Sequence, residues 1–189
     1  MPSLSDSARL MKLVILDRDG VVNIDSDQFI KSPEEWRPIP GSLEAIARLN
    51  QAGYRVVLAT NQSGLGRGLF DMATLNAIHN KMHKLLAHHG GRIDALFFCP
   101  HGADAGCECR KPKPGMLEEI ARRFNVSLAG VPAIGDSLRD LQAAVEVGAQ
   151  PILVRSGKGE KTLAAGNLPP QTLVFDTLAE AVDYLTAKA

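Results

Sequence analysis

The chain lacks any apolar run near the ~20 residues that a membrane-spanning helix needs. Its opening stretch, MPSLSDSARLMK, lacks the apolar middle of a secretion signal. It also lacks a charge imbalance: 21 basic and 21 acidic residues leave a formal net charge of zero. Nucleic-acid and membrane-surface binders usually carry a basic excess, so neither partner is expected and any anion must be held by a local cluster. There is a single tryptophan, which argues against a groove that stacks single-stranded bases. Cysteine is scarce and unevenly placed, three in all, every one between positions 99 and 109. A disulfide framework would spread an even number along a secreted chain. These absences predict a cytoplasmic protein that acts on a small molecule, without nucleic-acid or membrane partners, and as a monomer.

What is present is a regular alternation of apolar runs and helical patterns in 189 residues, a length that suits one domain with a real core. Residues 1–10 are polar and are expected to form a flexible N-terminal extension, with 11–189 as the single domain. Strands are predicted over 12–17, 55–60, 94–98, 132–134, 151–154 and 172–175. Each is short, and β-branched or aromatic, with apolar residues in succession, as in strands covered on both faces. Helices are predicted over 42–52, 71–89, 115–125, 138–147 and 177–187, the first with Ser42 as N-cap and Gly53 as its stop. The alternation predicts an α/β, Rossmann-like, doubly wound and mostly parallel sheet with helices on both faces. Ligands of such sheets bind beyond the C-terminal strand ends.

Polar segments follow the first four predicted strands. Asp17 and Asp19 end the first, in LVILDRDGVVN, and TNQSGLGRG (60–68) follows the second. CPHGADAGCECRKPKPG (99–115) follows the third and GDSLRD (135–140) the fourth. An isolated Asp here would be a turn residue, and an isolated Lys111 a solvated charge. Their joint arrival at one rim is the signal. DRDGVVNIDSD is not a calcium loop, which needs three alternating ligands before its glycine, and GLGRG has the wrong spacing for a dinucleotide fingerprint. Chemically the set suits phosphoryl transfer. Asp17, Asp19 and Asp136 can hold Mg²⁺, a carboxylate can be the nucleophile, and a hydroxyl, an amide and an ammonium can stabilise phosphoryl oxygens.

Cys99, His101, Cys107 and Cys109 form a full tetrahedral set for Zn²⁺ with no position left for water, which points to a structural ion clamping a small loop. A Cys107–Cys109 disulfide would be strained, and ordinary buried thiols are the other alternative. Arg110 and Lys111 follow the last ligand directly. His79 and His83, four apart in HNKMH, lack the intervening Glu of a zinc helix and are read as a surface helix face.

With D-x-D-G after the first strand, Thr60 after the second, then Lys111, then Gly135-Asp136, the sequence resembles the haloacid dehalogenase-like phosphohydrolases over residues 12 to 185. The resemblance implies Asp17 as nucleophile, Asp19 as general acid/base, and Thr60 and Lys111 as holders of the phosphoryl group. It also implies Mg²⁺ on the Asp17 carboxylate, the Asp19 main-chain carbonyl and Asp136. The intervals 17–60 and 60–111 leave no room for a cap domain. Among capless members, a thiolate loop of this kind is similar to those of two groups. One acts on a heptose bisphosphate of lipopolysaccharide-core synthesis, the other on histidinol phosphate. The loop bearing Asn61, Gln62, Ser63 and Arg67 resembles the first group and is expected to face a sugar phosphate, whereas the short metal loop is similar to the second. Asp25, Ser26, Asp27, Gln28 and Arg110 are expected to touch the sugar or its distal phosphate. Ser137 stands where both groups usually carry a cation.

Overall fold

The computed structural model describes residues 11–188, and the extension expected at 1–10 lies outside them. Six strands, β1 (Lys12–Leu16), β2 (Tyr54–Asn61), β3 (Ala95–Cys99), β4 (Pro132–Gly135), β5 (Gln150–Val154) and β6 (Leu173–Phe175), form one sheet in the order β3-β2-β1-β4-β5-β6. Every pairing is parallel. The helices are α1 (Ser42–Gln51), α2 (Ser63–Gly66), α3 (Met72–His88), α4 (Gly115–Phe124), α5 (Leu138–Glu146), α6 (Gly159–Ala165) and α7 (Leu178–Ala187).

The unbroken apolar strands follow from burial on both faces. Alternate residues of β1 serve opposite cores. Val14 and Leu16 pack with α1, α3 and α7 residues such as Ile46, Ile78 and Val182. Leu13 and Ile15 pack with Met116 and Ile120 of α4 and Ala143 of α5. Each fully buried aliphatic side chain contributes about 1.5–3 kcal/mol. Among the described residues no separate cap is present. The segment between β1 and α1 instead folds down as a loop pinned by buried Val21, Val22, Ile30 and Trp36. Among the described residues no helix is long and apolar enough to cross a membrane.

Several local expectations need correction. Ser42 is the first helical residue rather than the cap. Gly41 takes the cap in a left-handed conformation (φ +87°), and the Ser42 hydroxyl donates instead to the Val21 carbonyl at 2.8 Å. Helix α2 sits inside the loop expected at 60–68, and α6 lies between β5 and β6. Both are too short, at four and seven residues, to carry a helical period. Gly53 does stop α1, with φ +88°.

Gly20 lets the chain leave β1 past its two carboxylates. Its φ is +81°, and a Cβ would overlap the Asp136 carboxylate and crowd the Gly157 backbone. Gly20→Ala is therefore expected to cost about 1 kcal/mol or more, read as a lower urea midpoint at unchanged slope. An unchanged midpoint would show that the loop has another way out.

Candidate active site

Strand order reverses around β1. The chain lays β2 and β3 on one side, then returns to place β4, β5 and β6 on the other. The loops after β1 and β4 therefore diverge and open a crevice at the carboxyl end of the sheet. Asp17 enters it from β1, held by its main-chain N–H on the Ile134 carbonyl at 2.9 Å. Asp136 enters from β4. Lys111 comes from the loop between β3 and α4 and is only 4% exposed. Its ammonium lies 3.1 Å from Asp17 Oδ1 and 2.6 Å from Asp140 Oδ1, and it donates to the Ala59 carbonyl at 2.7 Å.

Asp140 was not among the residues expected from sequence. It forms the capping box of α5. Its Oδ2 accepts from the main-chain N–H groups of Asp136 and Ser137 at 3.1 Å each, and from the Ser137 hydroxyl at 2.9 Å. The signal was legible as S-x-x-D directly after Gly135-Asp136. Ser137, in the place of a cation, thus serves the helix cap and Asp140.

Three carboxylates here face one ammonium. Burial, then the Asp140 charge, push the Asp17 carboxyl well above its ordinary range, and Lys111 offsets only part of this. Asp136 is pushed up to about 7, by burial first and Asp140 second. Burial works against the charge of Asp140 too, but the Lys111 ammonium and the bonds from Lys111 and Ser137 hold it below the usual range. Burial opposes the Lys111 charge, yet Asp140 and Asp17 hold its pKa above the ordinary lysine value. Oxygens of Asp17, Asp136 and Asp140 lie within 4.8 Å of one another. An under-neutralised set of hard oxygen donors fits a divalent cation.

Asp19 is placed differently. Its Oδ1 accepts from Arg18 Nε (3.1 Å), Arg18 Nη2 (2.9 Å) and Asn23 Nδ2 (2.9 Å), while Oδ2 accepts from Gln62 Nε2 (3.0 Å). Burial opposes its charge, but Arg18 and these hydrogen bonds hold its pKa low. Thr60 is buried beneath the cleft, its hydroxyl accepting from Gln62 Nε2 at 2.9 Å. Asn61 lines the cleft, yet both ends of its amide engage the Lys111 main chain at 3.1 Å. Through Asn61, β2 sets the height at which Lys111 enters.

Asp25, Ser26, Asp27, Gln62, Ser63, Arg67 and Arg110 line the same cleft. Gln28 does not. It is exposed, with its main-chain groups tied to Ser26 and Lys31. Phe29, Arg139 and Lys158 also line the cleft. Arg139 belongs to GDSLRD, whereas no sequence motif announced Phe29 or Lys158. Arg67 stacks over the Phe29 ring at 5.5 Å. Lys158 donates its main-chain N–H to Asp136 Oδ2 at 2.8 Å and holds Asp25 with its ammonium at 3.4 Å. His83 is exposed as expected, but His79 is buried against Arg18, which contradicts the surface-face reading.

Beside the cleft, Cys99 closes β3 and gathers His101, Cys107 and Cys109 around it. The Cys99 sulfur lies 3.4 Å from His101 Nδ1, 3.7 Å from Cys107 Sγ and 3.1 Å from Cys109 Sγ. Tetrahedral zinc bonds of ~2.0–2.3 Å place ligands roughly 3.3–3.8 Å apart, so the cluster fits such an ion. Burial pushes the Cys99 thiol up to about 12. Cys107 is lowered to about 7, since hydrogen bonds from the Arg110 N–H and the neighbouring thiols outweigh its desolvation.

Lys111→Met removes the one cation buried among Asp17, Asp136 and Asp140. The expected loss is about 3–5 kcal/mol at pH 7 in chelator, measured by urea unfolding. The pKa of Asp140 is depressed in the folded state, so the stability it draws from Lys111 exists above the unfolded carboxyl pKa and fades as pH falls through the folded one. The gap between wild type and variant must therefore narrow in acid. Urea unfolding followed from pH 7 down to about pH 2 reads this narrowing, and a gap that stays equal across the whole range would refute the pairing.

Two family models match the sequence, one described as Polynucleotide kinase 3 phosphatase over residues 12–135 and one as HAD-hyrolase-like over residues 108–181. The D-glycero-beta-D-manno-heptose-1,7-bisphosphate 7-phosphatase of Bordetella bronchiseptica is 66% identical over 179 residues, covering 95% of this chain and 100% of that protein. Its counterpart in Pseudomonas putida is 57% identical, covering 89% and 96%. The crystal structure of the B. bronchiseptica D,D-heptose 1,7-bisphosphate phosphatase complexed with magnesium and phosphate superposes with a TM-score of 0.94, at 66% identity and over 95% and 100% of the two chains. The chain belongs to the haloacid dehalogenase-like phosphatases, as a close homologue of the heptose-1,7-bisphosphate 7-phosphatases.

Proposed function

We propose that the protein is a magnesium-dependent phosphatase that removes the 7-phosphate of D-glycero-D-manno-heptose 1,7-bisphosphate, a step of heptose supply to lipopolysaccharide. The carrying observation is the 66% identity to such an enzyme along that enzyme's whole length. The cleft supports it. Its floor holds the Asp17–Lys111 centre, and Arg67, Arg110, Arg139 and Lys158 add four cations, suited to a substrate with a second phosphate. The match to the polynucleotide phosphatase model favours a nucleic-acid 3′-end as a second reading. Zero net charge and the acidic pair Asp25 and Asp27 in the cleft weigh against a polyanion.

The placement of the side chains supports the following reaction. An Asp17 oxygen attacks phosphorus, and the bond from phosphorus to the sugar oxygen breaks. The electron pair leaves on that oxygen, which takes a proton from Asp19. The products are an aspartyl phosphate and the free sugar hydroxyl. Water then attacks phosphorus and passes a proton to Asp19, and the acyl–phosphate bond breaks to release phosphate and restore Asp17. Lys111, charged throughout, donates to phosphoryl oxygens and keeps Asp17 oriented. Asp19 is ionised in the free protein, and negative charge brought by the phosphoryl group favours its protonated form in the complex. Thr60 acts from below, orienting Gln62. Asp17, Asp136 and the Asp19 carbonyl would hold Mg²⁺, which when bound offsets repulsion between a dianionic ester and Asp17. Zn²⁺ on Cys99, His101, Cys107 and Cys109 would hold the loop that delivers Arg110 and Lys111.

Phosphate release from heptose 1,7-bisphosphate is expected to require Mg²⁺. It is also expected to exceed release from histidinol phosphate or a 3′-phosphorylated oligonucleotide by roughly tenfold or more in kcat/KM. A preference for either alternative overturns the assignment. Asp17→Asn is expected to cut turnover by roughly 10³-fold or more with an unchanged circular dichroism spectrum. Metal analysis should find one zinc per chain, and stripping it should lower both the melting temperature and activity. A fully active zinc-free protein would exclude that role.

A further inference from the structure

Arg18 lies between the two reactive carboxylates and is wholly buried, yet the reaction above gives its side chain no part. Among the described residues its guanidinium has one charged partner, Asp19. Nε and Nη2 both donate to Asp19 Oδ1, at 3.1 and 2.9 Å. The third direction of the fork, Nη1, points away from the cleft into α3 and meets His79 Nε2 at 3.0 Å. His79 is 8% exposed and belongs to neither the cleft lining nor the thiol cluster.

We infer that His79 is a positioning residue for the phosphatase reaction: as the acceptor for Arg18 Nη1 it fixes the guanidinium, and the guanidinium fixes Asp19 with Oδ1 sunk and Oδ2 presented to the leaving oxygen. The inference rests on the reading of Asp19 as general acid/base. The donor count supports the asymmetry. Oδ1 receives three donors, two from Arg18 and one from Asn23 Nδ2, whereas Oδ2 receives only Gln62 Nε2. Oδ2 is therefore the oxygen with lone-pair capacity for the transferred proton.

The imidazole suits this task. Arginine has donors only, so Nη1 needs an acceptor, and a neutral ring protonated on Nδ1 presents Nε2 as one. Burial and the Arg18 charge push the His79 pKa down to about 3, so the ring stays an acceptor throughout the working range. An apolar residue in its place would leave a buried guanidinium donor unpaired, and the group would turn or draw in water. Small displacements of a reacting group can cost ~10²-fold in rate.

The test uses leaving-group chemistry. A sugar oxygen departs as a poor alkoxide and needs the Asp19 proton, whereas p-nitrophenol departs as a stable phenolate. kcat/KM reports steps through departure of the leaving group. His79→Leu is expected to lower kcat/KM for heptose 1,7-bisphosphate by roughly 10–100-fold, mainly in kcat, and to lower kcat/KM for p-nitrophenyl phosphate far less. His79→Gln, which restores an acceptor, should recover most of the loss. Equal losses on both substrates, or a folded Leu variant with wild-type rates on both, overturn the inference. If the Leu variant does not fold, Gln against the shorter Asn decides. Asn must show the selective loss, and an Asn variant equal to Gln overturns the inference. A wild type that hydrolyses p-nitrophenyl phosphate but no sugar bisphosphate defeats the substrate assignment alone, with the comparison moved to the alkyl phosphate it does cleave. A wild type inactive on every phosphate ester defeats both.

Discussion

The burial of one ammonium among carboxylates at the crest of the sheet is the constraint on which the rest of the site depends. Lys111 bridges Asp17 from β1 and Asp140 from α5 while donating to the Ala59 carbonyl in β2. Four segments distant in sequence meet at one nitrogen. Desolvating that nitrogen is tolerable only because the carboxylates are there, and they are tolerable only because of it. The imbalance that remains, three acids against one base, gives the site its appetite for a divalent cation and for a group that brings its own countercharge.

Support for Lys111 reaches outward in two steps. Asn61, the last residue of β2, clamps the Lys111 main chain from both sides. Its register partner is Cys99 at the end of β3, the residue around which the thiol and imidazole cluster gathers. The thiol–imidazole loop and Lys111 are thus fixed to neighbouring rungs of one parallel ladder. Asp140 does the same from the other side, since its second oxygen is locked into the cap of α5.

Much of this was legible in the sequence, for identifiable reasons. Parallel strands covered on both faces leave apolar runs such as KLVIL, and the residues that interrupt them mark the strand ends where a site forms. The cysteine loop was legible because Cys99, His101, Cys107 and Cys109 all fall within one short segment. Residues whose roles arise only from three-dimensional neighbours were not. Lys158 stands in no motif, Arg139 sits inside GDSLRD with nothing to single it out, and His79 read as solvent-facing because helical spacing says nothing of the arginine that meets it from another segment. Gln28 was placed in the site with its loop neighbours, but the turn that brings Asp25 inward and leaves Asp27 at the rim carries it out. Ser42 failed as a cap because the left-handed entry to α1 belongs to glycine.

Among the described residues no cap domain covers the cleft, and the loop from β1 to α1 leans over its mouth. With no cap domain among the described residues to shut behind a bound molecule, dehydration of the Asp17–Asp19 pair falls to whatever fills the opening. A phosphate ester long enough to reach the rim arginines and Lys158 expels that water by its own bulk, and a stubby one leaves the pair hydrated. Selection by length then rests on how much water a ligand expels, and the same openness lets the spent sugar depart without waiting for a domain to swing aside.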